Sequence, residues 1–143
     1  MGTRSLTFVY HGKKPIINMY RQYDGYPNGH GADLVDFLAK GKLVNGVGAD
    51  TRVFNGMGCL AAQLVANFKD GAGNIYLYPV TSKDCGQDYE YHIYEDEENN
   101  GFKIVVYNCG VNFFGLTQSE QHDKIFEGNL LQFAEFCSAE ELA

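Results

Sequence analysis

YEYHIYEDEENNGFKIVVYN, residues 89–108, decides the fold class. Aromatic and β-branched residues fill 89–94 and again 102–108, while the passage between them, EDEENNG, is charged and turn-forming. Two strands so close together predict an antiparallel hairpin. A parallel crossover needs a dozen or more residues and usually an apolar helix, and this passage supplies neither. Upstream, GNIYLYPV reads as a strand through Tyr78 halted by Pro79, joined to the hairpin by the polar TSKDCGQD. Downstream, Thr117 and Glu120 have the spacing of a capping box, which predicts a helix from about Gln118. Phe126, Leu130, Phe133 and Cys137 then recur at four, three and four residues, so the helical reading continues, divided in two near Gly128.

At the other end, RSLTFVY (residues 4–10) and PIINMY (15–20) flank HGKK and predict a second hairpin, with Lys13 and Lys14 at its tip. ADLVDFLA (32–39) predicts a short helix ended by Gly41, and Asp33 and Asp36 suit its dipole. MGCLAAQLVANFK (57–69) is a longer amphipathic helix, whereas the glycine-rich KGKLVNGVGADTRVFNG reads as a loop or a loop-bound short strand. Residues 1–143 are therefore expected to form a single α+β domain: a compact, mainly antiparallel sheet of four or five strands with about three helices.

Ten phenylalanines and ten tyrosines within a 45% hydrophobic composition supply a core and exclude a wholly disordered chain. No apolar run approaches the roughly 20 residues of a membrane span, and MGTRSLTFVYHGKK lacks a secretory hydrophobic stretch, so a cytoplasmic protein is expected. Cys59, Cys85, Cys109 and Cys137 lack metal-knuckle or disulfide-scaffold spacing and read as free, mostly buried thiols. Cys59 and Cys109 are the two considered as nucleophiles, and neither has a histidine nearby in sequence. The net charge of -7 is uneven: residues 1–52 carry seven Lys or Arg against four Asp or Glu, and residues 53–143 carry four against fourteen. That balance disfavours non-specific nucleic-acid binding and leaves room for a small anion site in the N-terminal half.

MYRQYDGYPNGHG, residues 19–31, is the densest stretch of polar chemistry and turn formers. Arg21 suits a phosphate or carboxylate, Asp24 and His30 suit ligand orientation or proton transfer, and Tyr23 and Tyr26 offer aromatic faces. The competing account is structural: an Arg–Asp bond pinning the turn, with His30 on a backbone carbonyl. A second candidate loop, NCGVNFFGLTQSEQ (108–121), offers Asn108, Asn112 and Phe113, which would complete a mixed polar and aromatic pocket if the two segments meet. No phosphate-loop or dinucleotide fingerprint is present, and no cofactor is expected. His11, His30, His92 and His122 stand far apart, so no metal is expected either.

MGTRSLTFVY, MYRQYDGYPNGHGADLVDFLA and GNIYLYP together resemble a group of small, largely uncharacterised bacteriophage and bacterial proteins, most strongly over residues 1–40 and with a looser echo through about residue 110. The resemblance implies a phage or bacterial origin, and the host cytoplasm if phage-encoded; it implies no particular reaction. The favoured expectation is a non-enzymatic binding protein that recognises a host protein or a small anionic ligand such as a signalling nucleotide. The alternative is a small hydrolase or transferase acting on a phosphate-containing substrate, with Arg21 stabilising charge and Asp24 or His30 as acid or base. A structural or protein-interaction module is the third reading.

Overall fold

The computed structural model describes residues 2–44, 53–98, 101–109 and 122–141. Both predicted hairpins form. Strand β1 (Ser5–His11) turns directly into β2 (Lys14–Arg21), the loop being only Gly12 and Lys13. Gly12 has φ 63°, the positive value that the first central residue of such a tight turn demands. Strand β6 (Tyr89–Asp96) pairs antiparallel with β7 (Gly101–Asn108), from Tyr89 against Asn108 to Asp96 against Gly101.

Between the hairpins lie one π-helical turn (Pro27–Gly31), α1 (Ala32–Ala39), two short strands β3 (Lys42–Val44) and β4 (Val53–Asn55), α2 (Gly56–Phe68) and β5 (Ile75–Tyr78). After β7 come β8 (Asp123–Gly128) and α3 (Leu130–Glu141). The fold class is α+β, as expected, but among the described residues the main sheet has six strands in the order β5-β2-β1-β6-β7-β8, and β3 and β4 form a separate parallel pair. The sheet is mixed rather than wholly antiparallel because β1 and β6 run parallel, Ser5 to Val9 against Tyr89 to Ile93. None of the described helices is long and apolar enough to cross a membrane.

The helical expectation fails at β8. Residues 123–128 extend along the open edge of β7, and Phe126 reaches Phe133 and Phe136 from a strand, at ring separations of 5.6 and 4.9 Å. The apolar spacing thus reported a real contact with a different backbone. The working capping box belongs to Asn129 and Gln132: each side-chain oxygen accepts the other's backbone N–H at 2.9 Å, opening α3. Thr117 and Glu120 lie outside the described residues.

Period-two alternation sorts the strands into two faces. Val9, Met19, Tyr91, Ile93, Ile104 and Val106 point to the helices and pack with Leu34, Leu38, Leu60, Leu64 and Phe133 in the main core. Leu6, Phe8 and Tyr20 form a smaller cluster on the opposite face, with Tyr10 and Cys85 against it. The link from β5 to β6 creates that second layer. Both strands run the same way on either side of β2 and β1, so residues 79–88 must cross those two strands. Asn18 ties the link down, its buried Nδ2 donating to the carbonyls of Pro79 and Ser82 at 3.2 and 3.1 Å.

Candidate functional site

The N-terminal turn is built around an internal chain of hydrogen bonds. Arg21 ends β2 and donates through Nη1 to Asp33 Oδ2 at 2.9 Å and to His30 Nδ1 at 3.1 Å, and through Nε to the Tyr23 carbonyl at 2.7 Å. Because arginine only donates, His30 Nδ1 is the acceptor and Nε2 carries the proton, donated to Thr7 Oγ1 at 2.6 Å. His30 is fully buried, edge-on to Phe68 and Tyr91. Burial, and then the Arg21 charge, push its pKa well below 6.5. Both ring nitrogens are spent.

The structure brings Arg21 and His30 together, but the salt-bridge partner is Asp33 on α1 rather than Asp24, and the histidine partner is a hydroxyl rather than a carbonyl. Asp24 takes φ 61°, and its carbonyl accepts the His30 N–H at 2.7 Å. Its carboxylate accepts the Tyr26 hydroxyl at 3.3 Å. Tyr23 and Tyr26 are exposed. Asn108 shares a register row with Arg21 across β2, β1, β6 and β7, and three strand spacings of ~4.8 Å place it about 14 Å away. Asn112 and Phe113 lie outside the described residues. A polar cavity of about 270 Å³ adjoins Arg21, Asp33 and Lys40.

A richer constellation occupies the opposite face of the sheet. Alternation along β6 aims Glu90, His92 and Tyr94 away from the helices, beside Phe8 and Tyr10 of β1 and Tyr107 of β7. Glu90 Oε1 accepts from the Nε2 atoms of His92 and His122, each at 3.0 Å, and Oε2 accepts from Gln87 Nε2 at 2.9 Å. Tyr10 donates its hydroxyl to His92 Nδ1 at 2.6 Å, which fixes the ring with its proton on Nε2. Phe8 stacks on His92 at 4.9 Å and Tyr107 stacks on His122 at 4.1 Å. Tyr10 in turn stacks on Tyr94 at 4.2 Å.

Burial alone would raise the Glu90 pKa, but the bonds from His92, His122 and Gln87 outweigh it and hold the carboxyl down at about 2. Burial followed by the Glu90 charge pushes the Cys109 thiol far up, so it stays protonated and is no nucleophile as it stands. Burial likewise raises the Tyr10 hydroxyl, helped by Tyr94. Above this network the 79–88 link walls off a cavity of about 480 Å³ lined by Phe8, Tyr10, Lys83, Glu90, His92 and His122. A larger hollow, about 720 Å³, lies at the α1–α2 end around Phe37, Lys40, Phe54 and Gln63. It holds no cluster of ionisable groups among the described residues, whereas the sheet cup gathers a carboxylate and two imidazoles, so the cup is the better candidate site.

Sequence reasoning passed over Tyr10 and Glu90, and weighed His92 and His122 only as metal ligands too far apart in sequence. The alternation of YEYHIY does put Glu90 and His92 on one face, but nothing local pairs either with His122. Cys109, lacking a histidine nearby in sequence, has His122 as a spatial neighbour within 4.8 Å. Comparison with family models, with curated proteins and with solved structures gives no match for this chain.

Proposed function

We propose that this chain is a non-enzymatic binding protein that seats a small anionic ligand with a planar ring, of the nucleotide class, in the cup on the open face of the sheet. The observation that carries the reading is the cup itself. Its volume of about 480 Å³ suits a small molecule. Its floor is a set of stacked rings, Phe8 on His92 and Tyr10 on Tyr94, whose polar atoms are largely bonded to one another. The cup also offers ring surface for a base and, at the wall, the Lys83 ammonium for an anionic group beside the Asp84 carboxylate, which suits a ring amine or a ribose hydroxyl. A phage-encoded protein acting on a host signalling nucleotide fits this chemistry, as does any other nucleotide-like ligand.

Native mass spectrometry and calorimetry on the purified protein with a panel of cyclic and linear nucleotides test the reading. One equivalent is expected to bind, with affinity reduced at least about tenfold in Lys83→Ala and in Tyr10→Leu, as loss of a charge-assisted contact or of a stacking face predicts. Arg21→Ala, on the opposite face, should bind as wild type does. Binding lost in folded Arg21→Ala but kept in Lys83→Ala would move the site to the N-terminal turn. Chemical conversion of the bound nucleotide would replace this reading with the hydrolase or transferase alternative, and failure of the whole panel to bind would favour a protein partner.

A further inference from the structure

We infer that Glu90, Cys109 and His122 form a site for one zinc-class divalent metal ion at the inner wall of the cup. The inference stands apart from the nucleotide reading. A carboxylate oxygen, a thiol sulfur and an imidazole nitrogen, contributed from β6, from the residue after β7 and from the residue before β8, lie within 4.8 Å of one another. Tetrahedral zinc, with bonds of about 2.3 Å to sulfur and 2.0–2.1 Å to nitrogen and oxygen, sets its donors roughly 3.3–3.6 Å apart. The Glu90–His122 separation of 3.0 Å is already at that scale. Side-chain rotations that close the remaining gaps by about 1 Å complete the donor set.

Three further observations point the same way. Glu90 is buried, yet its hydrogen-bond partners are two imidazoles, an amide and a thiol; no Lys or Arg pairs with it among the described residues, and of these contacts only the two imidazoles supply a cation, and only when protonated. Buried carboxylates are otherwise paired with a charge or bound to a metal. The ligand positions are held by the backbone: Glu90 and Tyr107 pair across β6 and β7, and the Cys109 N–H donates to the Asp88 carbonyl at 2.7 Å. The carboxylate also has its supporting layer, since His92 and Gln87 donate to its two oxygens and Tyr10 fixes His92. Such outer partners orient ligands in metal sites.

The donor set selects the ion. A cysteine sulfur and an imidazole suit zinc and disfavour magnesium and calcium, which take oxygen. On binding, the Cys109 thiol proton passes to solvent and the His122 Nε2 proton moves through solvent to Nδ1, freeing both lone pairs; nothing is oxidised or reduced. Three protein ligands leave the fourth position to water or to an oxygen of a molecule in the cup, on the side where His122 is exposed.

The test uses chelator-treated full-length protein titrated with zinc by calorimetry and with cobalt by absorption spectroscopy, without any nucleotide. One equivalent of each is expected, cobalt giving a tetrahedral spectrum with a thiolate charge-transfer band. The band should vanish in Cys109→Ser. Zinc affinity should fall at least about a hundredfold in His122→Gln, a change at an exposed side chain that spares the core, because losing a ligand costs more than losing its outer partner. His11→Gln, at the exposed end of β1, should bind as wild type does. Absence of stoichiometric binding, or binding undiminished in folded His122→Gln, would overturn the site.

Discussion

His30 shows how a residue chemically suited to catalysis is consumed by structure. It stays neutral in the folded protein because burial and Arg21 hold its pKa well below 6.5. The unfolded chain takes up that proton as pH falls through about 6.5, so folding stability declines from there down to the depressed folded-state value. Urea midpoints at about pH 7.5 and about pH 5.5 check this: the drop on acidification should be smaller in His30→Gln than in wild type. Equal drops would mean that His30 protonates without unfolding. The turn formers and the Arg21–His30 proximity were legible in the sequence, because they are local. The partners were not: Thr7 comes from the neighbouring strand β1 and Asp33 from the next helix. The same limit hid the Glu90–His122 pair, whose members meet only through the pairing of β6, β7 and β8.

Among the elements, those whose periodicity is confined to one segment were readable: both hairpins, α1 and α2 formed close to their expected bounds. Strand β8 was not, because its conformation is set by the edge of β7 rather than by its own residues, and tertiary pairing overrides a weak local preference. The 79–88 link was legible as polar and irregular, but its path over the sheet follows from strand order alone. Asn18 fastens that path, so Asn18→Ala should cost about 1–3 kcal/mol in stability through the two hydrogen bonds lost, the Pro79 carbonyl keeping only the Ser82 N–H at 3.0 Å. It should also raise amide exchange across residues 80–86. Exchange unchanged in the variant would show that the Cys85 contact with the Leu6–Phe8–Tyr20 cluster holds the link without Asn18.

For the whole molecule, class and composition were readable and topology was not: two hairpins can abut in several ways, and no local signal says that β1 takes β6 as a parallel neighbour. That central pairing joins Ser5 to Tyr89 and leaves the helices on one face and the cup on the other. It also sets a timetable. Each hairpin closes over a short loop, but the seam between them requires one long closure, and such non-local pairing slows folding. During synthesis the inner edge of β1 stays unpaired until residue 93 has emerged. Stopped-flow refolding is therefore expected to show one dominant phase of milliseconds to seconds, slowed by Ile93→Val in the seam. If Ile93→Val instead speeds only unfolding, the seam forms after the barrier. In that second case the cup, built across the seam, closes after the barrier, so a ligand or ion held there acts as a latch that slows escape from the native state more than it hastens arrival.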